Sequence, residues 1–156
     1  VERVLDTYKA LSGGNLLFPP AVGFILDAEN RSDQKKAELE QRARDLGTLL
    51  KFTPRRMFEN YLLHAGCIQA GLATELRDTP VATPSHRDVA ELLAAKMATD
   101  DWDKTGHAAR WFQELFAKYN LEFRKTTHSV AMAAWLLENA PEHIDDLRSI
   151  LIGMVS

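Results

Sequence analysis

Apolar positions recur along the chain with two different periods, and the change of period divides it. Val4, Leu5, Tyr8 and Leu11 fall at helical spacing, and Gly13-Gly14 closes that run. Leu16 to Pro20 reads as a connector. Residues 21–26 are then almost entirely apolar, and so short a run without alternation predicts a strand covered on both faces, as in a parallel sheet. Ser32 offers an N-cap to the polar helix SDQKKAELEQRARDLG, which Gly47 ends. Thr48 to Phe52 predicts a second strand, and strand, helix and strand together make a βαβ unit. A right-handed crossover puts both strand ends, Asp27 and Thr53, on one edge of the sheet. Open α/β sheets gather their sites at such an edge.

Beyond Pro54 the period becomes helical. RRMFENYLLHAGCIQAGLATEL predicts mostly helix, and RDTPVATP predicts a loop. Ser85 with Asp88 resembles a capping box with a shorter acid, opening a helix to about Thr99. DDWDKTG reads as a turn, and His107 to Tyr119 is amphipathic, with Trp111, Phe112, Leu115 and Phe116 as its apolar stripe. A further helix runs from about Thr127 to Asn139, and Pro141 opens a last one to about Met154. The pattern predicts one mixed α/β domain over residues 1–156, with an α/β part at 1–63 and a helical part at 64–156.

Composition sharpens this picture only at its margins. The 156 residues are 46% apolar and 26% charged, which is ordinary for a globular domain with one core. A net charge of −3 excludes a surface that attracts polyanions everywhere, so any such contact needs a local basic patch. The single cysteine, Cys67, excludes an internal disulfide and fits a reducing compartment, so a cytoplasmic location is expected. No apolar run approaches the roughly 18 residues of a membrane span. The chain opens at Val1 inside a helical pattern, which leads us to expect a piece of a longer protein. A GxxxxGK[ST] loop, zinc-spaced Cys/His and a Gly-x-Ser-x-Gly elbow are all missing from the sequence.

Three stretches carry candidate chemistry. Asp27-Ala28-Glu29 ends the first strand, where residues i and i+2 can converge on one hard cation. The alternative is that Asp27 caps the loop and Glu29 is solvated. In FTPRRMFENYLLH, Glu59 falls near a first helical turn, where the helix dipole favours a carboxylate. Arg55 and Arg56 either pair with it or grip phosphate in bidentate fashion. In EFRKTTHSV, Arg124, Lys125 and His128 cluster at a helix start that attracts anions, unless they form a solvated basic loop. Lys104, flanked by acids, is expected in salt bridges, and His86, His107 and His143 show no ligand spacing. Cys67 and the three tryptophans read as packed residues.

The order of FILDAEN, KFTPRRMFENYLL, DKTGHAARWFQELF and EFRKTTHSVAMAAWLLENAPEHIDDL resembles the carboxyl-terminal part of the overcoming-lysogenization-defect (OLD) family of bacterial ATPases. In that family an ABC/AAA-type ATPase domain precedes a Toprim nuclease-like domain. The likeness covers roughly residues 20–152, and RRMFENYLL is its most specific part. It implies a Toprim-like α/β fold with a parallel sheet, acting with Mg²⁺ (or Mn²⁺) on DNA or RNA phosphodiesters in phage defence or DNA repair. It also implies an upstream ATPase domain as partner in the same chain, and homo-oligomers formed through that domain. Asp27 and Glu29 match the family's DxD, with Glu in the second place, and Glu59 matches the acid of its ENYL motif. The implied metal ligands are therefore Asp27, Glu29 and Glu59. Lys125 is implied as the basic catalytic residue that such nucleases carry downstream, and Arg55, Arg56, Arg124, Lys125 and His128 as nucleic-acid contacts. The family's first Glu has no counterpart, because Glu2 follows no apolar strand. A Toprim-like module that binds nucleic acid or a partner without cutting is the alternative implication.

Overall fold

A computed structural model describes residues 2–12, 22–98 and 101–155. The expected Gly13-Gly14 stop, the Leu16–Pro20 connector, Ala21 and Thr99 lie outside the described residues. In order, the elements are α1 (Glu2–Ser12), β1 (Gly23–Leu26), α2 (Asp33–Asp45) and β2 (Leu49–Phe52). A 3₁₀ helix over Phe58–Leu62 follows, then α3 (Ala65–Leu76), α4 (His86–Lys96), α5 (Trp102–Thr105) and α6 (Ala108–Ala117). The chain continues through α7 (Lys125–Asn139), a 3₁₀ turn at Pro141–Ile144 and α8 (Asp145–Val155). Among the described residues it is mainly helical, with one small sheet. Among the described residues no helix is long and apolar enough to cross a membrane.

Local chemistry explains the helix starts. Ser32, in extended conformation, accepts the Lys35 N–H and caps α2, while Gly47 leaves it at φ 72°, a conformation that suits glycine. Ser85 and Asp88 form the reciprocal capping box that opens α4. The FENYL segment differs from an ordinary α-helix start: it winds as a 3₁₀ helix, and Leu62 and Leu63 anchor it in the core. DDWDKTG contains the single helical turn α5 rather than a plain turn.

β1 and β2 pair in parallel, from Gly23 opposite Leu49 to Leu26 opposite Phe52. Parallel pairing brings Asp27 and Thr53 out at the same edge. The Thr53 N–H extends the ladder to the Leu26 carbonyl at 2.9 Å, and the Thr53 hydroxyl accepts the Ala28 N–H at 3.3 Å. The apolar run of β1 is not covered on both faces as expected. Gly23 is exposed and Phe24 to Leu26 are half-buried, because β2 is its single neighbour among the described residues. β2 instead alternates, with Leu50 and Phe52 inward.

Two apolar clusters result. Leu5, Leu39, Ala43, Leu50 and Phe52 form the smaller one, tying α1 and α2 to the strands. The larger one joins Leu62, Ile68, Leu72, Val89, Phe112, Phe116, Met132 and Leu136 from the helices that follow. Burying a large apolar side chain stabilises the fold by roughly 1.5–3 kcal/mol, so this second cluster dominates the chain's stability. Cys67 and Phe112 lie within it, as the pattern predicts.

Candidate functional site

The edge where β1 and β2 end is closed over by chain that returns from β2. The Phe58 N–H donates to Asp27 Oδ1 at 2.9 Å, which seats the start of the 3₁₀ helix on the end of β1. That helix carries Glu59 inward, only 4% exposed. The first residue of α7, Lys125, reaches across, and its Nζ stands 2.7 Å from Glu59 Oε1. Three separate segments thus bring Glu59 and Lys125 into contact and near enough to Asp27 for their charges to act on it. Burial raises the Asp27 carboxyl above its usual range. The Phe58 N–H opposes that rise, the negative charges of Glu59 and Glu29 add to it, and Lys125 counters it.

Buried polar groups hold this arrangement in place. Asn60 is fully buried, and its Nδ2 faces the carbonyls of Trp102, Asp103 and Gly106 at 3.4, 3.2 and 3.2 Å. It therefore staples the 3₁₀ helix to α5. A Cβ at Gly106 would lie 2.5 Å from both the Trp102 carbonyl oxygen and the Trp111 ring, so only glycine permits that approach. Asn60 is not singled out by the sequence pattern, and its place beside Glu59 is the one signal that points to it.

The other expected residues lie elsewhere. Glu29 is exposed, at φ 48°, with its carboxylate 3.0 Å from Arg31 and its N–H donating to the Arg56 carbonyl at 2.6 Å. Neither arginine after Pro54 is paired with Glu59. Arg55 lies over the Tyr61 ring and donates to Asp146, the Asn60 carbonyl and the His143 carbonyl, so it clamps the helical part rather than facing the strand edge. Arg56 donates to the Thr105 carbonyl at 2.6 Å, and its buried Nε has no hydrogen-bond partner among the described residues. Arg124 stands 3.5 Å from Glu75. His128 is buried against Phe116 and Phe123, accepts the Arg124 N–H at Nδ1, and has Nε2 3.1 Å from Glu75, out of line for a hydrogen bond. Arg124 and His128 therefore form a separate cluster around Glu75. Lys104, expected in salt bridges, makes none within 4.0 Å among the described residues.

A metal ion would have to be held by what this edge offers. Among the described residues no three His, Cys, Asp or Glu groups are placed together to hold one. The expected trio of Asp27, Glu29 and Glu59 is therefore not assembled, because Glu29 turns to Arg31. A pair of carboxylates fits better, since Mg²⁺ is commonly bound by one or two of them with water and substrate phosphate. Asp27 and Glu59 are the carboxylates that could supply such a pair, since Glu59 lies near enough for its charge to act on Asp27, and Lys125 is ion-paired to Glu59. No protein-family model matches the chain, and no curated protein or solved structure matches it, so the geometry of this edge is what bears on its chemistry.

Proposed function

We propose that the edge of the β1–β2 pair is a phosphodiester site, and that the chain is a Toprim-like, Mg²⁺-dependent nuclease domain acting on DNA or RNA within an ATPase-linked, oligomeric defence or repair protein. The observation that carries this reading is that the Glu59–Lys125 pair stands within electrostatic reach of Asp27, which is bonded to the neighbouring Phe58 N–H where parallel strands end. Burial raises the proton affinity of the Asp27 carboxyl, the negative charges of Glu59 and Glu29 add to it, and a cation there would relieve it. Asp27 and Glu59 would hold that cation, which when bound supplies activation of water and neutralisation of the leaving oxygen. Lys125, released from Glu59, offers its ammonium to the scissile phosphate. Glu29 stands outside the pair.

A second reading, a module that binds nucleic acid without cutting it, is favoured by the same edge. Each carboxylate already has an N–H partner there, and no three-ligand set exists among the described residues. Nicking of supercoiled plasmid in Mg²⁺ or Mn²⁺ separates the two. The nuclease reading expects nicking that falls by about 100-fold or more in Asp27→Asn and in Glu59→Gln. DNA binding without nicking in either metal would leave the binding module. Nicking that survives Asp27→Asn would refute the site itself.

A further inference from the structure

Next to Asp27, lined by the β1–α2 loop, opens a polar cleft of about 390 Å³. Four cationic side chains line it, Arg31, Lys36, Arg56 and Lys104, against two acids, Glu29 and Asp33. The acids are taken: Glu29 pairs with Arg31 at 3.0 Å, and Asp33 with Lys36 at 2.6 Å. Arg56 and Lys104 have no carboxylate within 4.0 Å among the described residues, and the Arg56 Nε is buried without a partner. Among the described residues that line it, the cleft therefore carries an excess of two positive charges, on a protein whose net charge is −3. Concentrated positive charge in a concave site on an acidic protein selects anions, and phosphate oxygens match the guanidinium and ammonium donors. Arg31 also fixes the cleft to the strand edge, since its guanidinium donates to the Asp27 carbonyl at 2.9 Å.

We propose that this cleft is a phosphate-binding subsite for a nucleic-acid strand, holding a neighbouring phosphate of the strand whose backbone lies at Asp27 and Glu59. Arg56 and Lys104 contact the phosphate oxygens, and the ion-paired Arg31 and Lys36 flank them. The assignment rests on the phosphodiester reading for its ligand class, but the contacts need no divalent ion.

Fluorescence anisotropy of a labelled single-stranded oligonucleotide, titrated with the chain in EDTA at low salt, tests it apart from any metal chemistry. The wild type is expected to bind, Lys104→Glu to bind roughly tenfold more weakly with a salt slope lower by about one, and Asp27→Asn to bind at least as tightly as the wild type. Arg87→Glu makes the same charge change on an exposed helix face and is expected to alter affinity by less than about twofold. Lys104 is exposed, so an unchanged melting temperature shows that its variant is folded. Equal binding by Lys104→Glu and wild type, or no binding by the wild type, would overturn the subsite. So would inorganic phosphate or a mononucleotide that competes as well as the oligonucleotide, since a strand would then not be the ligand. Loss of nicking in the metal assay with oligonucleotide binding intact would remove the nuclease reading alone.

Discussion

Asp27 shows how a single side chain can be held against its own preference. Its place is partly buried and the nearby Glu59 and Glu29 add negative charge, so the fold shifts the carboxyl toward its protonated form. The sign of the consequence follows from proton counting. Between the unfolded value of 3.8 and the raised folded value, the folded chain binds more protons than the unfolded one, so stability falls as pH rises through that window. At neutral pH the cost is fully present. Asp27→Asn removes it and keeps an oxygen for the Phe58 N–H. Scanning calorimetry at pH 7 is therefore expected to show Tm raised by about 2 °C, with the advantage shrinking toward acid. A lower Tm would mean that Asp27 is an ordinary structural cap. Asn60 illustrates the opposite case, a buried amide kept because its donor faces three carbonyls of the α5 segment, although its Oδ1 has no partner among the described residues.

Among elements, the 3₁₀ helix, the Pro141 turn and α8 are joined through Arg55 and two histidines. The His64 and His143 rings lie 5.1 Å apart. Burial lowers His143 to about 4, with the positive charges of Arg55 and His64 adding to it and Asp146 opposing it. Burial first, then His86, also lowers His64, against Glu142. A histidine held neutral in the fold binds its proton more readily when unfolded. Its contribution is therefore complete above the ordinary 6.5 and is lost as pH falls toward 4. Urea midpoints at pH 7 and pH 4.5 are expected to drop for the wild type and to drop less for His143→Gln. An equal drop would show that carboxylates alone govern acid stability. The same elements show what the sequence could disclose. Ser32 and the Ser85–Asp88 box were legible because a cap and its partners lie three residues apart. The partner of Arg55 was not, because Asp146 stands 91 residues away and no local period encodes it. Pairing Arg55 or Arg56 with Glu59 was the natural local guess, and Lys125 holds that place instead. The run in β1 announced a strand correctly but overstated its burial, since the number of neighbouring strands is a property of topology and not of the run itself.

At the scale of the molecule, the site draws its residues from segments attached to both apolar clusters. Asp27 belongs to the strand edge of the smaller cluster, Lys125 begins a helix of the larger, and Glu59 sits on the segment that bridges them. The three side chains come together only when both parts have folded and docked. Placing Asp27 at the strand edge needed only the apolar run and the turn after it, but the meeting with Glu59 and Lys125 required long-range contacts that no spacing expresses. The mixture of a small parallel sheet with many helices was legible in the change of apolar period beyond Pro54. The most direct test of a cation site at this edge is isothermal titration of the chain with Mn²⁺. The account predicts uptake at one site, abolished in Asp27→Asn, weakened about tenfold or more in Glu59→Gln, and retained in Glu29→Gln. Absence of measurable uptake, or uptake that survives Asp27→Asn while failing in Glu29→Gln, would contradict it.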